Sequence, residues 1–441
     1  MNSLFKKIII SYLTLLATLK LKFFKGKIIG LAGCYGKSSA VDLIEQLLTT
    51  EYKVKSTNIG GKGLNTESGI PFVILNINPD KYRAIDWLKY SFQALINLFK
   101  PLNFDFIVLE MGVDSPGDMQ HLTKHFRPDI GILLNSDTTH SANFETLHHQ
   151  TGKSYKELIA YENGYVLARA KEAIFFNNDI PEVIDQSLRS TKNAKFNFST
   201  SEPLSKITTF RPTLAGTQIE FTCNDSIVKI THPTPLLGEY KSTFELIIKL
   251  AEYFKINNQN TETVFRNFQL PPSRCSLFKG IKDTFILDSS YNSSFLPAKS
   301  ALELLKQIAP KRRVAILGDM RELGEITEQE HKKLAREAMQ NTDIVLTIGP
   351  FMHEFFKPEF EANKKVEQQI RSFDSTKDAL EYLRAHEYDF LQSEDTILVK
   401  GSQNTLLLEI IIEELLADKS QVSMLSRRGK LYDEKRQALL V

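Results

Sequence analysis

Cysteine is scarce in this chain: three in 441 residues, Cys34, Cys223 and Cys275, with no Cys-x-x-Cys pair. That excludes a disulfide framework and a cysteine zinc site, and it fits a reducing cytoplasm. A dominant charge sign is missing too. Lys and Arg number 55 against 53 Asp and Glu, so the net charge of +2 makes no broad electrostatic case for nucleic acid. No apolar run is long enough to span a bilayer; the best candidate, Ile8 to Leu21, is broken by Ser11, Tyr12, Thr14, Thr18 and Lys20. No small-residue cleavage site follows it, which argues against a secretion signal. Repeats and low-complexity segments are absent. What is present, 42% hydrophobic and 24% charged residues, is the composition of a soluble globular protein with room for two or three domains.

Lysines flank the apolar positions of residues 1–26. An amphipathic helix packed on the protein fits that pattern, and so does a helix making weak contact with a membrane surface. Next, Lys27 to Leu31 reads as a buried strand, followed by Gly33-Cys34-Tyr35-Gly36-Lys37-Ser38-Ser39 and a helix with Ala40, Val41, Leu43, Ile44, Leu47 and Leu48 on one face. Strand, glycine loop, Lys-Ser and helix start form the layout of a phosphate cradle. Gly33 and Gly36 free the backbone N–H groups to face an anion, Lys37 neutralises phosphate charge, and Ser38 ligates Mg²⁺. The common motif puts a glycine five places before Gly36, where Leu31 stands, so a plain strand-to-helix turn with a solvated lysine also fits.

Lys53 to Thr57 reads as a second strand. The loop from Asn58 to Pro71 carries four glycines and the polar Asn65, Thr66 and Glu67. Residues 83–99 read as an amphipathic helix with Trp87, Phe92, Leu95 and Ile96 toward the core. The strands Phe106 to Met111 and Asp129 to Leu134 end in Glu110 and Asn135, with His140 beyond. In an open sheet, ligands bind at such strand ends, so Glu110 and His140 could converge on Lys37 and Ser38. Residues 195–235 read as a small antiparallel sheet, and Pro271-Pro272-Ser273-Arg274 as a stiff hinge. A second strand–helix alternation follows. It includes Phe285 to Leu287 before Asp288 and Asn292, Val314 to Leu317 before Gly318-Asp319-Met320-Arg321-Glu322-Leu323-Gly324, and Thr396 to Val399 before Lys400-Gly401-Ser402. The tail from Lys419 reads as charged and loosely packed. The fold expected is α/β: a mostly parallel ATPase-type sheet with a small β insertion, then a Rossmann-like α/β domain.

In order, these blocks resemble the Mur ligase family, across about residues 27 to 417. The phosphate loop resembles Gly-Thr-x-Gly-Lys-Thr-Thr. Asn65 to Pro71 resembles the Asn-x-Glu-x-Gly-x-Pro of the D-alanyl-D-alanine-adding members, and the Leu317 to Gly324 block also points to them. Glu110-Met111-Gly112, Asn135 to His140, Pro272-Ser273-Arg274, Leu287 to Asn292, His331 and Lys400 to Ser402 continue the match. The resemblance implies a central ATP-binding domain at 27–272 and a C-terminal domain at 273–441. It implies ATP-dependent amide formation through an acyl phosphate, with D-Ala-D-Ala added to a UDP-muramoyl-tripeptide or related muropeptide by a cytoplasmic monomer. Gly33, Gly36, Lys37, Ser38, Ser39, Asn135, Arg274, Asp288 and Asn292 would then face ATP. Ser38, Glu110 and His140 would hold metal, and Asn65, Thr66, Glu67, Lys400 and Ser402 would contact substrate.

Three departures stand out. Only about 26 residues precede the first strand, too few for the family's UDP-gripping domain, which leaves a lipid-linked acceptor, or nucleotide binding without ligation, as rival readings. Asn163 stands where many members have a carbamylated lysine; Lys153 and Lys156 lie nearby. Cys34-Tyr35 replaces Thr-Asn in the phosphate loop, leaving Cys34 either structural or reactive.

Overall fold

Two blocks of alternating strand and helix build two six-stranded sheets. A computed structural model describes residues 3–59, 62–79, 83–192, 194–402 and 405–440, so Gly60 and Gly61 of the polar loop and the first two residues lie outside it. The chain forms two compact units: residues 1–208, 221–228 and 241–268, and residues 209–220, 229–240 and 269–441.

In the first unit, β1 (Lys27–Ala32), β2 (Val54–Ser56), β3 (Phe106–Glu110), β4 (Ile130–Leu133), β5 (Ala173–Asn177) and β6 (Ala194–Phe198) form a sheet ordered β2-β3-β1-β4-β5-β6. Every pairing is parallel. Parallel strands are covered on both faces, which is why β1 and β3 read as unbroken apolar runs rather than alternating ones. Leu31 pairs with Glu110, so β1 and β3 end together, and the loop after β1 emerges beside the Glu110 carboxylate. Helix α2 (Lys37–Thr49) starts directly after that loop and buries all six apolar residues expected on its inner face, each of the larger ones contributing about 1.5–3 kcal/mol.

Helices α1 (Ser3–Leu21), α3 (Gly69–Ile74) and α4 (Ala84–Leu98) share one core, to which α1 gives Ile9, Leu13, Leu16 and Ala17. The expectation of a helix packed on the protein therefore holds for α1. For α4 the expected face is wrong. Trp87 is buried, but Phe92, Leu95 and Ile96 are exposed, and Tyr90 and Ala94 point inward instead. This helix is apolar on nearly every side, so periodicity could not choose its inner face. Tertiary packing chose it: Phe72 sits 5.7 Å from Trp87 and 5.4 Å from Tyr90, ring to ring.

The small sheet expected over 195–235 starts later, as β7 (Ile207–Thr213), β8 (Gly216–Cys223) and β9 (Ser226–His232), ordered β9-β8-β7, because residues 195–198 belong to β6 at the edge of the parallel sheet. In the second unit, β10 (Ser276–Lys279), β11 (Phe285–Ser289), β12 (Arg313–Gly318), β13 (Ile344–Ile348), β14 (Gln369–Phe373) and β15 (Thr396–Lys400) are ordered β10-β11-β15-β12-β13-β14. Only the β10–β11 pairing is antiparallel.

The tail from Lys419 is largely exposed, but it is anchored at Leu425, Ser426 and Arg427. Arg427 is buried and its guanidinium pairs with the fully buried Glu409, Nη1 to Oε2 at 3.1 Å. It also donates to the carbonyls of Ser290, at 3.2 Å, and Tyr291. A charged sequence looked solvated because its buried partner lies 18 residues away in the chain. Among the described residues, no helix is long and apolar enough to cross a membrane.

Candidate active site

The phosphate loop is braced from β4. Asn135 Oδ1 accepts the backbone N–H groups of Cys34, at 2.8 Å, and Tyr35, at 3.2 Å, while its Nδ2 donates to the Tyr35 carbonyl at 3.0 Å. This side-chain amide thus meets the loop backbone as a neighbouring strand would. Gly33 has φ 149° and an added Cβ would lie 3.2 Å from Asn135. Gly36 caps α2 at φ 74°, a left-handed conformation that favours glycine. Lys37 curls back to donate to the carbonyls of Gly33, at 2.8 Å, and Cys34, at 3.4 Å. Ser39 is buried in the first turn of α2.

Ser38 Oγ donates to Glu110 Oε2 at 3.0 Å, and Asn65 Nδ2 donates to Glu110 Oε1 at 2.9 Å. The β3 carboxylate is therefore buried between the phosphate loop and the polar loop. Thr57, which the motifs did not single out, also helps: its Oγ1 accepts the Glu110 N–H at 2.8 Å. Thr66 and Glu67 remain exposed on the polar loop, where Thr66 Oγ1 caps the Gly69 N–H at 3.3 Å. His140 takes φ 64° and places Nε2 3.4 Å from Asp114 Oδ1, in the loop that follows Glu110.

Asn163 is buried on the helix Tyr155–Asn163, where its Nδ2 donates to the Ile159 carbonyl at 3.0 Å and its Oδ1 has no hydrogen-bond partner. Lys153 does not replace it; its exposed ammonium lies over the Tyr161 ring, 5.8 Å from the centroid. Cys34 exchanges hydrogen bonds with the backbone of Asp137. Burial first, and the Asp137 charge second, push its thiol up to about 12, which makes it structural rather than reactive. Burial likewise pushes Cys223 up to about 11 and Cys275 up to about 12.

The second unit assembles its own polar group at the ends of β11, β12 and β15. Asp288 accepts from Ser273 Oγ at 2.6 Å, Ser290 Oγ at 2.7 Å and Ser290 N at 3.0 Å; burial nonetheless raises its affinity for a proton. Lys400 donates to the Asn292 carbonyl at 2.9 Å and to Ser289 Oγ at 3.3 Å, and burial lowers its ammonium to about 8. Ser402 donates to the Asp319 carbonyl from both its N–H and its hydroxyl. The Arg274 guanidinium lies 4.3 Å from the centre of the Tyr291 ring. His331 is fully buried and accepts the Met320 N–H at Nε2 (3.1 Å), so its proton sits on Nδ1, bonded to the Thr327 carbonyl at 2.7 Å. Burial lowers His331 to about 4 and raises Asp319 to about 6.

Two family models match the chain. The Mur ligase middle domain matches residues 31–243, and the Mur ligase glutamate ligase domain matches residues 273–403. The chain is 23% identical over 393 residues to the UDP-N-acetylmuramoyl-tripeptide–D-alanyl-D-alanine ligase of Bacillus subtilis, covering 87% of this chain and 75% of that protein. To the enzyme of the same name from Escherichia coli it is 22% identical over 399 residues, covering 87% and 76%. Among solved structures it resembles MurF of Acinetobacter baumannii, with a TM-score of 0.72, 16% identity and coverage of 91% and 79%. It also resembles MurF ligase of Thermotoga maritima in complex with ADP, with a TM-score of 0.70, 21% identity and coverage of 92% and 83%. At these identities the structural likeness shows the fold.

Proposed function

Because this chain belongs to the Mur ligase family, we propose that it is an ATP-dependent ligase of peptidoglycan precursor synthesis that adds D-alanyl-D-alanine to a UDP-muramoyl-tripeptide. The observation that carries the reading is the Ser38–Glu110–Asn65 linkage beside Lys37, at the edge where β1 and β3 end together. Relatives bearing that activity in their names match most of the chain.

The peptide carboxylate attacks the γ-phosphorus of ATP, giving an acyl phosphate and ADP. The amine of D-alanyl-D-alanine then attacks the acyl carbon and loses a proton, and the tetrahedral intermediate expels phosphate to leave the amide. Phosphoryl transfer depends mainly on positioned charge. Lys37 leaves the Gly33 and Cys34 carbonyls for the phosphates, while the first N–H groups of α2 supply fixed donors. Asn135 holds the loop backbone in shape throughout. The Ser38 hydroxyl and Glu110 carboxylate are hard oxygen donors side by side, a set that fits Mg²⁺. When bound there, Mg²⁺ offsets phosphate charge. His140 is the family's second metal position, but a nitrogen donor suits so hard a cation less well. The resemblance gives Arg274, Asp288 and Asn292 roles toward the nucleotide, and Asn65, Lys400 and Ser402 roles toward the substrates.

The test combines the protein with ATP, Mg²⁺, D-alanyl-D-alanine and UDP-muramoyl-tripeptide, and follows phosphate release and product mass. A dipeptide-extended product, lost in Lys37→Ala, is expected. Nucleotide binding without turnover, or full activity in Lys37→Ala, would overturn the reading.

A further inference from the structure

Among the described residues, the outward stripe of α4 is left exposed. Ile85, Leu88, Phe92, Leu95 and Ile96 are 44–69% exposed, and Phe99, just past the helix end, is 82% exposed. Their spacing places them on one face, opposite the Trp87, Tyr90 and Ala94 stripe that fills the core. The neighbouring α1 extends this surface with Ile8, 59% exposed, and Leu15, 57% exposed, and Phe23 beyond it is 83% exposed. The helices are fastened together: Lys20 Nζ donates to the Asn97 carbonyl at 2.6 Å, and Tyr12 Oη to the Ser91 carbonyl at 3.5 Å. The result is a two-helix plate with an apolar outer face, larger than the scattered apolar residues of an ordinary surface.

Its charge is as one-sided as its hydropathy. Residues 3–27 and 84–105 hold eight lysines and two carboxylates, Asp86 and Asp105, in a chain whose net charge is only +2; of the lysines, Lys20 is buried and Lys27 is paired with Glu172. Asp86 is itself paired with Arg83, Nε to Oδ2 at 3.0 Å. At the C-terminal ends of the two helices, Phe23 and Phe99 line a groove of about 950 Å³ together with Lys25, Lys53, Lys100 and one carboxylate, Asp105. Exposed aromatics beside lysines with long apolar stems suit the boundary between lipid headgroups and acyl chains.

We propose that the α1/α4 plate is a docking surface for an anionic lipid bilayer, with the α4 stripe, Phe23 and Phe99 entering the interface and Lys22, Lys25, Lys89 and Lys100 meeting acidic headgroups. A second copy of the plate is a poor occupant, because face-to-face pairing would set lysines against lysines. The surface involves none of the residues assigned to the reaction, so it stands or falls separately from the ligase reading.

The test is flotation of the full chain with vesicles of phosphatidylcholine alone or with 30% phosphatidylglycerol, a composition chosen as roughly that of an acidic leaflet. Binding is expected to the acidic vesicles, to weaken strongly in about 0.5 M salt, and to fall at least about tenfold in Phe92→Ser/Ile96→Ser and again in Lys22→Glu/Lys25→Glu. Because all four side chains are exposed, thermal midpoints and turnover in vesicle-free buffer should match the parent; the charge variant also serves as a check on the apolar one. No flotation with acidic vesicles, equal binding to neutral vesicles, or light scattering showing a dimer that the apolar variant dissolves would each overturn the proposal.

Discussion

Arg427→Met should be among the most damaging single changes outside the reaction site. The native guanidinium is almost wholly enclosed, and it answers one carboxylate and two backbone carbonyls. Removing it leaves Glu409 buried, with Oε1 already lacking a hydrogen-bond partner. Burial raises the Glu409 pKa, and the Arg427 charge is the chief influence opposing that rise. Breaking a buried pair from one side costs about 3–5 kcal/mol, mostly because an uncompensated charge stays behind. For a unit of this size, each kcal/mol lowers the midpoint by about 2–4 °C, so the second unit's transition should fall by roughly 10 °C. The assay is calorimetry of the full chain, resolving the transitions because two units need not unfold together. The stranded carboxyl can escape by taking up a proton, so the penalty should be smaller at pH 5 than at pH 7.5. Arg427→Met/Glu409→Leu, which removes both charges, should recover most of the loss. A single-variant penalty below about 1 kcal/mol, or a double variant no better than the single, would refute the reasoning.

Asn135→Ala removes three hydrogen bonds to the phosphate loop; at about 0.5–1 kcal/mol each, ATP affinity should fall by roughly 10- to 150-fold in equilibrium titration, while unchanged affinity would dismiss the brace. Glu110→Gln keeps the shape but loses the charge that suits Mg²⁺, so a sharply raised Mg²⁺ requirement for phosphate release is expected. For His331, the folded pKa lies below the unfolded one, so the unfolded chain binds more protons between about pH 6.5 and pH 4 and stability falls as pH drops through that window. Asp319, raised by burial, opposes this, so the readout is the stability difference between the parent and His331→Gln in urea, which should shrink by about 2 kcal/mol from pH 7 to pH 5. Asn163 cannot form a carbamate, so turnover should be indifferent to bicarbonate depletion; a marked loss would point to a lysine acting in its place.

The strand-end chemistry was legible because each β-strand of a parallel sheet is a short, unbroken apolar run that delivers the next polar residue to one edge. Glu110, Asn135 and Lys400 could be read that way. The strands Ala173–Asn177, Ser276–Lys279 and Gln369–Phe373 fall outside that reading; the last two include polar or charged residues and resemble surface loops, while the alternating Ala194–Phe198 reads as part of the antiparallel sheet but pairs with the parallel one. The face of α4 was illegible for the opposite reason, a surplus of apolar residues in which two stripes compete and only packing against α1 and α3 decides. Arg427 had no local signal, since its meaning depends on a carboxylate from another helix. The hydrogen bond from Asn65 to Glu110 likewise joins two loops that sequence proximity does not connect.

All three thiols are held in their protonated form by burial, including the one in the phosphate loop. Cys223 and Cys275 are also buried, whereas Cys34 is partly exposed, so Cys34 is the native thiol that an alkylating probe would meet first. A surface cysteine introduced for a fluorophore or spin label would therefore compete with Cys34 alone, and replacing that one residue would leave two enclosed thiols.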